Sequence, residues 1–215
     1  MVVDGASLPA VRVELERRLR HAAEAGDCRV IVVRAGDFFG PRVGNSWFSQ
    51  GLIQPGRPVA TVQLPGTPGV GHQWSYLPDL ARTMALLLER RAALPAFAAF
   101  HMAGHWDANG MQMAGAIRRA VVRGGGAEPK VRAFPWWLVR LAAPVVPLFR
   151  ELGEMRYLWQ QPLRMDNDAL CAVLGTEPHT PLDAAVQATL EGLGCLPASI
   201  ITAPESPRSP NQLPA

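Results

Sequence analysis

The sequence predicts an α/β fold built on a doubly wound parallel sheet, and three observations carry the prediction. Residues 28–41, CRVIVVRAGDFFGP, place four β-branched residues, Val30 to Val33, directly ahead of a glycine-bearing loop, the pattern of a late strand in a parallel sheet. An amphipathic stretch precedes that strand, and strand and helix patterns alternate through much of the chain that follows. No phosphate-cradling glycine loop comes before the strand, although a dinucleotide-binding sheet needs one between its first strand and first helix. The sheet is therefore expected to be a partial one that keeps its late strands.

Taken in order, Leu8–Ala25 carries apolar residues at Val11, Leu15, Leu19, Ala22 and Ala23 with charges between them and Gly26 as a stop, which predicts a helix packed on the sheet beside the strand at 29–34. That strand is expected in the sheet interior, with 35–39 as a loop at its carboxyl end. A short helix follows at Trp47–Leu52, then an extended piece at Val59–Leu64 between two prolines. After a glycine-rich turn come a strand at His72–Tyr76 and a helix from Pro78 and Asp79, where proline and an acid suit the first turn. Ala96–Met102 reads as a strand, Asn109–Val122 as a helix closed by glycines, and Lys130–Phe134 as a short strand. Prolines 135, 144 and 147 cut the apolar stretch 134–149 into short helices, and Glu151–Trp159 continues helically. Asn167–Leu174 and Leu182–Leu193 are the last helices. Residues 1–10 are assigned to a leading loop, 11–195 to the folded domain, and 196–215 to a Pro- and Ser-rich disordered tail.

Composition narrows the function. The net charge is +3, but the basic residues are interspersed with acids, so no nucleic-acid stripe is expected. The apolar stretch 134–149 is shorter than a bilayer span and contains Arg140, which argues against a membrane span. Cys28, Cys171 and Cys195 form no CxxC pair, which fits a reducing cytoplasm. His101 and His105 have the HxxxH spacing of a metal site with Asp107 nearby, but follow a strand and lack the glutamate of HExxH. A metal-dependent hydrolase is thus the weakest of the readings.

Three segments, in order, resemble the extended short-chain dehydrogenase/reductase group, the NAD-dependent epimerase/dehydratase family. VVRAGDFFGP at 32–41 is similar to the family's LRPxNVYGP, HQWSYLPD at 72–79 to RDYIHVDD, and MDNDALCAVLGTEPHTPLDAAV to the closing D-x-x-K-x-x-x-x-L-G-x-x-P-x-T-x-L, with Leu174, Gly175, Pro178, Thr180 and Leu182 in register. The resemblance covers roughly Leu8 to Leu193. It implies a Rossmann-like remnant joined to a small α/β substrate-binding C-terminal domain, and NAD or NADP as cofactor of a full-length parent.

Two departures matter for chemistry. The family's general acid/base is a Tyr-x-x-x-Lys pair, whose ammonium lowers the tyrosine pKa and holds the cofactor ribose. Here Leu8 and Arg12 stand near those places, and the only lysine, Lys130, follows Gly126 by four residues. The glycine fingerprint is missing too, since Gly66, Gly69 and Gly71 lie in a proline-rich turn. The expected reading is an N-terminally truncated family member, inactive alone and without tight dinucleotide binding, whose activity belongs to a longer parent or to an oligomer or complementing chain. The alternative is a non-catalytic interaction module. By position, Arg12, Ala35, Gly36, Asp37 and Phe38 are the candidate cofactor contacts, and Asn45, His72 and Trp74 the candidate contacts to a small-molecule substrate. Plainer readings stand beside these: a solvent-facing Arg12, a helix-capping Asn45 and an ordinary strand-end His72. The resemblance implies a sugar-nucleotide or similar hydroxyl or carbonyl substrate, but His72 stands where many family members carry a phosphate-binding arginine, which speaks against a nucleoside diphosphate and for a smaller or less charged substrate.

Overall fold

A computed structural model describes residues 8–142, 153 and 155–196. Helix α1 (Leu8–Glu24) leads into strand β1 (Val30–Arg34), which runs parallel to β5 (Phe97–His101) with Val32 opposite Ala99. Strand β2 (Asp37–Phe39) runs parallel to β4 (His72–Tyr76), and β4 pairs antiparallel with β6 (His105–Asp107). A third pair joins β3 (Thr61–Leu64) and β7 (Lys130–Ala133) in parallel. The remaining helices are α2 (Leu77–Glu89), α3 (Gln112–Arg123), α4 (Trp136–Ala142), α5 (Asp168–Leu174) and α6 (Leu182–Gly192), with a π-helical turn at Trp47–Leu52 and 3₁₀ turns at Arg91–Ala93 and Met155–Trp159.

The class is therefore the predicted one, but the parallel strands are distributed over small sheets of two, three and two strands. Several expectations change with this. β1 pairs on one side only among the described residues, so it is not an interior strand; Val30 is buried while Ile31, Val32 and Val33 are half-buried. α1 touches β1 and β5 through its C-terminal half, where Ala23 is buried, and leaves Val11, Val13 and Leu15 exposed. Periodicity identified the helix correctly but not what covers its apolar stripe. α1 also starts inside the stretch assigned to a leading loop. The stretch 35–39 is only partly a loop, because Asp37–Phe39 is captured as β2 by the long, fully buried β4. Ser46, not Asn45, caps the π-helical turn, exchanging hydrogen bonds with Ser49 in a capping box. The expected disordered tail falls outside the described residues except at Leu196, as do residues 143–152 of the apolar stretch and its continuation.

Two cores result. One is built from Leu80 and Leu87 of α2, Ala98 and Phe100 of β5, and Leu170 of α5, with Ile31 and Val33 of β1 packed against them. The larger one gathers Phe39, Phe48, Val62, Trp74, Ile117, Val186 and Leu190, with α3 lying along α6.

Candidate functional site

The three sequence segments meet in space. Gly36 donates its N–H to Ser75 Oγ at 2.9 Å, and a Cβ at Gly36 would lie 2.2 Å from the Gln73 carbonyl oxygen, so only glycine lets the first segment press against the second. One residue on, the Asp37 carboxylate bonds His72 Nε2 at 2.8 Å. The second segment holds the third through Asp79, which is 1% exposed. Its carboxylate accepts the Thr180 N–H at 2.7 Å and the Thr180 hydroxyl at 2.8 Å, and pairs with Arg82. Gln73 ties in the loop after β5, donating to the carbonyls of Met102 and Ala103 and accepting the Met165 N–H. Glu177 completes the frame by accepting the N–H groups of Ala103 and Gly104 and the Asn167 amide. At Gly104, with φ of 54°, a Cβ would meet the Trp74 carbonyl oxygen at 2.4 Å, so the loop also depends on a glycine.

Around Asp37 and His72 the walls are aromatic. The His72 ring stacks on Trp159 with centroids 3.7 Å apart and planes 9° from parallel. Trp159 is flanked by Trp47 at 5.4 Å and Trp74 at 5.7 Å, and Trp136, which donates its indole N–H to the Pro65 carbonyl, closes on Trp47. The space left between Leu52, Pro65, Gly66, His72, Trp74 and Trp159 is only about 20 Å³, room for one water. The Asp37 carboxylate at His72 Nε2 fixes the orientation of the ring. The pair joins the first segment to the second beside the aromatic wall.

The sequence candidates are thus divided. Asp37, His72 and Trp74 come together, although Trp74 is 2% exposed and works as a core residue. Gly36 faces β4, Ala35 packs against the core of Leu80, Phe100 and Leu170, Phe38 is exposed, and Arg12 and Asn45 are exposed elsewhere. His101 hydrogen-bonds Arg34 whereas His105 packs on His179, so the HxxxH residues have different partners. No group of three metal-ligating side chains occurs among the described residues. Sequence reasoning missed Trp159, Glu177, Gln73 and His179. Only their positions inside the second and third segments hinted at Gln73, Glu177 and His179.

No protein-family model and no curated protein matches the chain, but solved structures do. A UDP-glucose 4-epimerase from Bifidobacterium longum, in complex with NAD+ and UDP, superposes with a TM-score of 0.55 over 87% of this chain and 55% of its own, at 14% identity. A UDP-glucuronic acid 4-epimerase from Bacillus cereus, holding UDP-glucuronic acid and NAD, gives 0.53 over 83% and 49% at 12% identity. RMD from Pseudomonas aeruginosa, complexed with NADPH, gives 0.53 over 83% and 52% at 14% identity. The chain shares their fold. It spans about half the length of these epimerase-fold proteins.

All three hold a dinucleotide, and the described residues here do not fit one. The Gly36 N–H is spent on Ser75 and the Asp37 carboxylate on His72. Three helix starts carry a carboxylate that would repel a pyrophosphate, Asp79 in α2, Asp168 in α5 and Asp183 in α6, and at α3 Asp107 accepts the N–H groups of Met111 and Met113. No described helix is long and apolar enough to cross a membrane.

Proposed function

We propose that this chain is the substrate-side half of an NAD(P)-dependent epimerase/dehydratase-like enzyme acting on a hydroxyl or carbonyl substrate, and that it performs no hydride transfer by itself. The observation that carries this reading is the convergence of the three family-like segments through Gly36–Ser75, Asp37–His72 and Asp79–Thr180. In a longer parent, or with a complementing chain, a glycine loop and a Tyr/Lys pair from elsewhere would bind the cofactor and move the proton. This chain would contribute the wall formed by Asp37, His72 and Trp159. An imidazole covered by an indole offers little to a diphosphate, so the substrate is smaller or less charged than a nucleoside diphosphate sugar.

The test is a hydride-transfer assay on the purified chain with NAD or NADP and a panel of sugars and small alcohols, read by the absorbance of the reduced nicotinamide. No signal above buffer is expected, and catalytic turnover would overturn the reading. A second reading, an interaction module, is favoured by one observation: Trp137 and Leu141 of α4 are 66% and 71% exposed, an apolar surface that a protein partner would cover.

A further inference from the structure

β1 and β5 are joined through the backbone groups of alternate residues: Val30 donates its N–H to the Ala96 carbonyl at 2.8 Å, and the Arg34 carbonyl accepts the Met102 N–H at 2.9 Å. The N–H and C=O groups of Ile31 and Val33 therefore point to the other edge, where no described strand pairs. Helices flank that edge on both faces. α2 covers the face of Ile31 and Val33 through Leu80 and Leu87. α1 covers the opposite face, where Glu16 accepts a bond from Arg34 at 2.7 Å and Arg20 lies over the Phe97 ring. On α2, Leu77, Ala81, Met84, Ala85 and Leu88 form a second apolar stripe at i, i+4, i+7, i+8 and i+11, and all five are exposed. The stripe does not face α5, which touches both α2 and β5, so it lies on the flank of the open β1 edge. On α1, Arg20 marks the β5 side, and the exposed Val11 and Leu15 lie on the other. One flank of the molecule thus presents a strand edge between two apolar helix stripes.

We propose that this flank binds a second copy of the chain, forming a two-fold dimer in which the two β1 strands pair antiparallel about Val32. Ile31 of each copy exchanges N–H and C=O bonds with Val33 of the other, which satisfies the open edge. An axis normal to the sheet at that point also sets the two α2 helices side by side and antiparallel on one face, and the two α1 helices on the other. Leu80 and Leu87 share a core with Ile31 and Val33, so the middle of α2 is level with the middle of β1 and the axis passes close to Arg82 and Thr83. Met84 of one copy then rests on Ala81 of the other and Leu77 meets Leu88, with no charge in the seam. That fit of a long side chain onto a small one is what favours a second copy over a different α/β chain on the same flank. A seam one 13-residue helix long, about 20 Å, and three layers deep buries on the order of 1,000–1,500 Å² in total, the lower part of the range for specific interfaces. The inference goes beyond the substrate-side reading and does not rest on it.

Sedimentation equilibrium of the full chain tests it. A monomer–dimer step with a Kd on the order of 10 µM is expected. Met84→Glu and Met84→Lys each bury like charges in the seam and should weaken that step on the order of 30-fold. Mixed in equal amounts, the two variants should recover about tenfold of the loss, because opposite charges then face each other across the axis. Met84 is half exposed in the single chain, so both variants should melt like the wild type; should either fail to fold, Ala81→Glu and Ala81→Lys take their place. A wild-type chain that stays monomeric up to about 1 mM would leave the flank to a different chain and overturn the proposal. Single variants that dimerise like the wild type, or a mixture no tighter than its components, would overturn it as well. Sedimentation reads association and not hydride transfer, so such a failure would leave the substrate-side reading standing.

Discussion

Replacing Asp79 by alanine tests the junction on which the site geometry depends. The carboxylate is almost fully buried at the start of α2 and accepts two hydrogen bonds from Thr180, 101 residues away in sequence, as well as one from Arg82. Arg82 has a 60% exposed side chain and will rehydrate at little cost. The Thr180 N–H and hydroxyl will not do so fully, and each bond to a charged acceptor is worth about 1.5–3 kcal/mol. Loss of the acid from the first turn of α2 adds about 0.5 kcal/mol. Asp79→Ala should therefore destabilise the chain by about 3–5 kcal/mol, and Asp79→Asn, which keeps one acceptor oxygen, by about half as much. Urea unfolding followed by tryptophan fluorescence and by far-UV circular dichroism measures this. A loss below about 1 kcal/mol for the alanine variant would refute the idea that Asp79 holds the second and third segments together.

Three further outcomes follow from the same geometry. His105 is neutral when folded down to about pH 4 but ordinary, near 6.5, when unfolded; its share of stability is intact above pH 6.5. As pH falls toward 4 the unfolded chain gains a proton that the folded one resists, and stability drops by on the order of 2 kcal/mol after allowance for solvent screening. The pH-stability curve of His105→Phe, compared with wild type by urea melts, should lack that slope. Trp159→Ala removes a 5% exposed indole from the aromatic cluster and should cost about 3–5 kcal/mol in the same melts; a neutral effect would mean that the cluster does not close the crevice. The isolated chain should associate with rising concentration in light scattering, and Leu15→Glu combined with Leu141→Glu should reduce this, since both leucines are mostly exposed.

Much of the fold is legible in the sequence because its signals are local. Val30–Val33, His72–Tyr76 with the Leu77–Glu89 helix, and the Leu174–Gly175 helix end are all set by periodicity and capping within a few residues. The short strands Asp37–Phe39 and His105–Asp107 are not, because three residues carry no period and form only by pairing with β4 from 30 or so residues away. The position of β1 at one side of its sheet was likewise hidden, since four β-branched residues read the same with one neighbour or two. In the site, Asp37 and His72 were each singled out, but their contact was not. Trp159, which decides what fits beside them, lies 87 residues beyond His72 in sequence, and only tertiary packing brings the two rings into stacking contact.

The central proposal is that this chain is the substrate side of an epimerase-like enzyme and binds no dinucleotide tightly on its own. Isothermal titration calorimetry of the purified chain with NAD and with NADPH tests it most directly. The account predicts no saturable heat up to millimolar ligand; a micromolar Kd for either dinucleotide would contradict it.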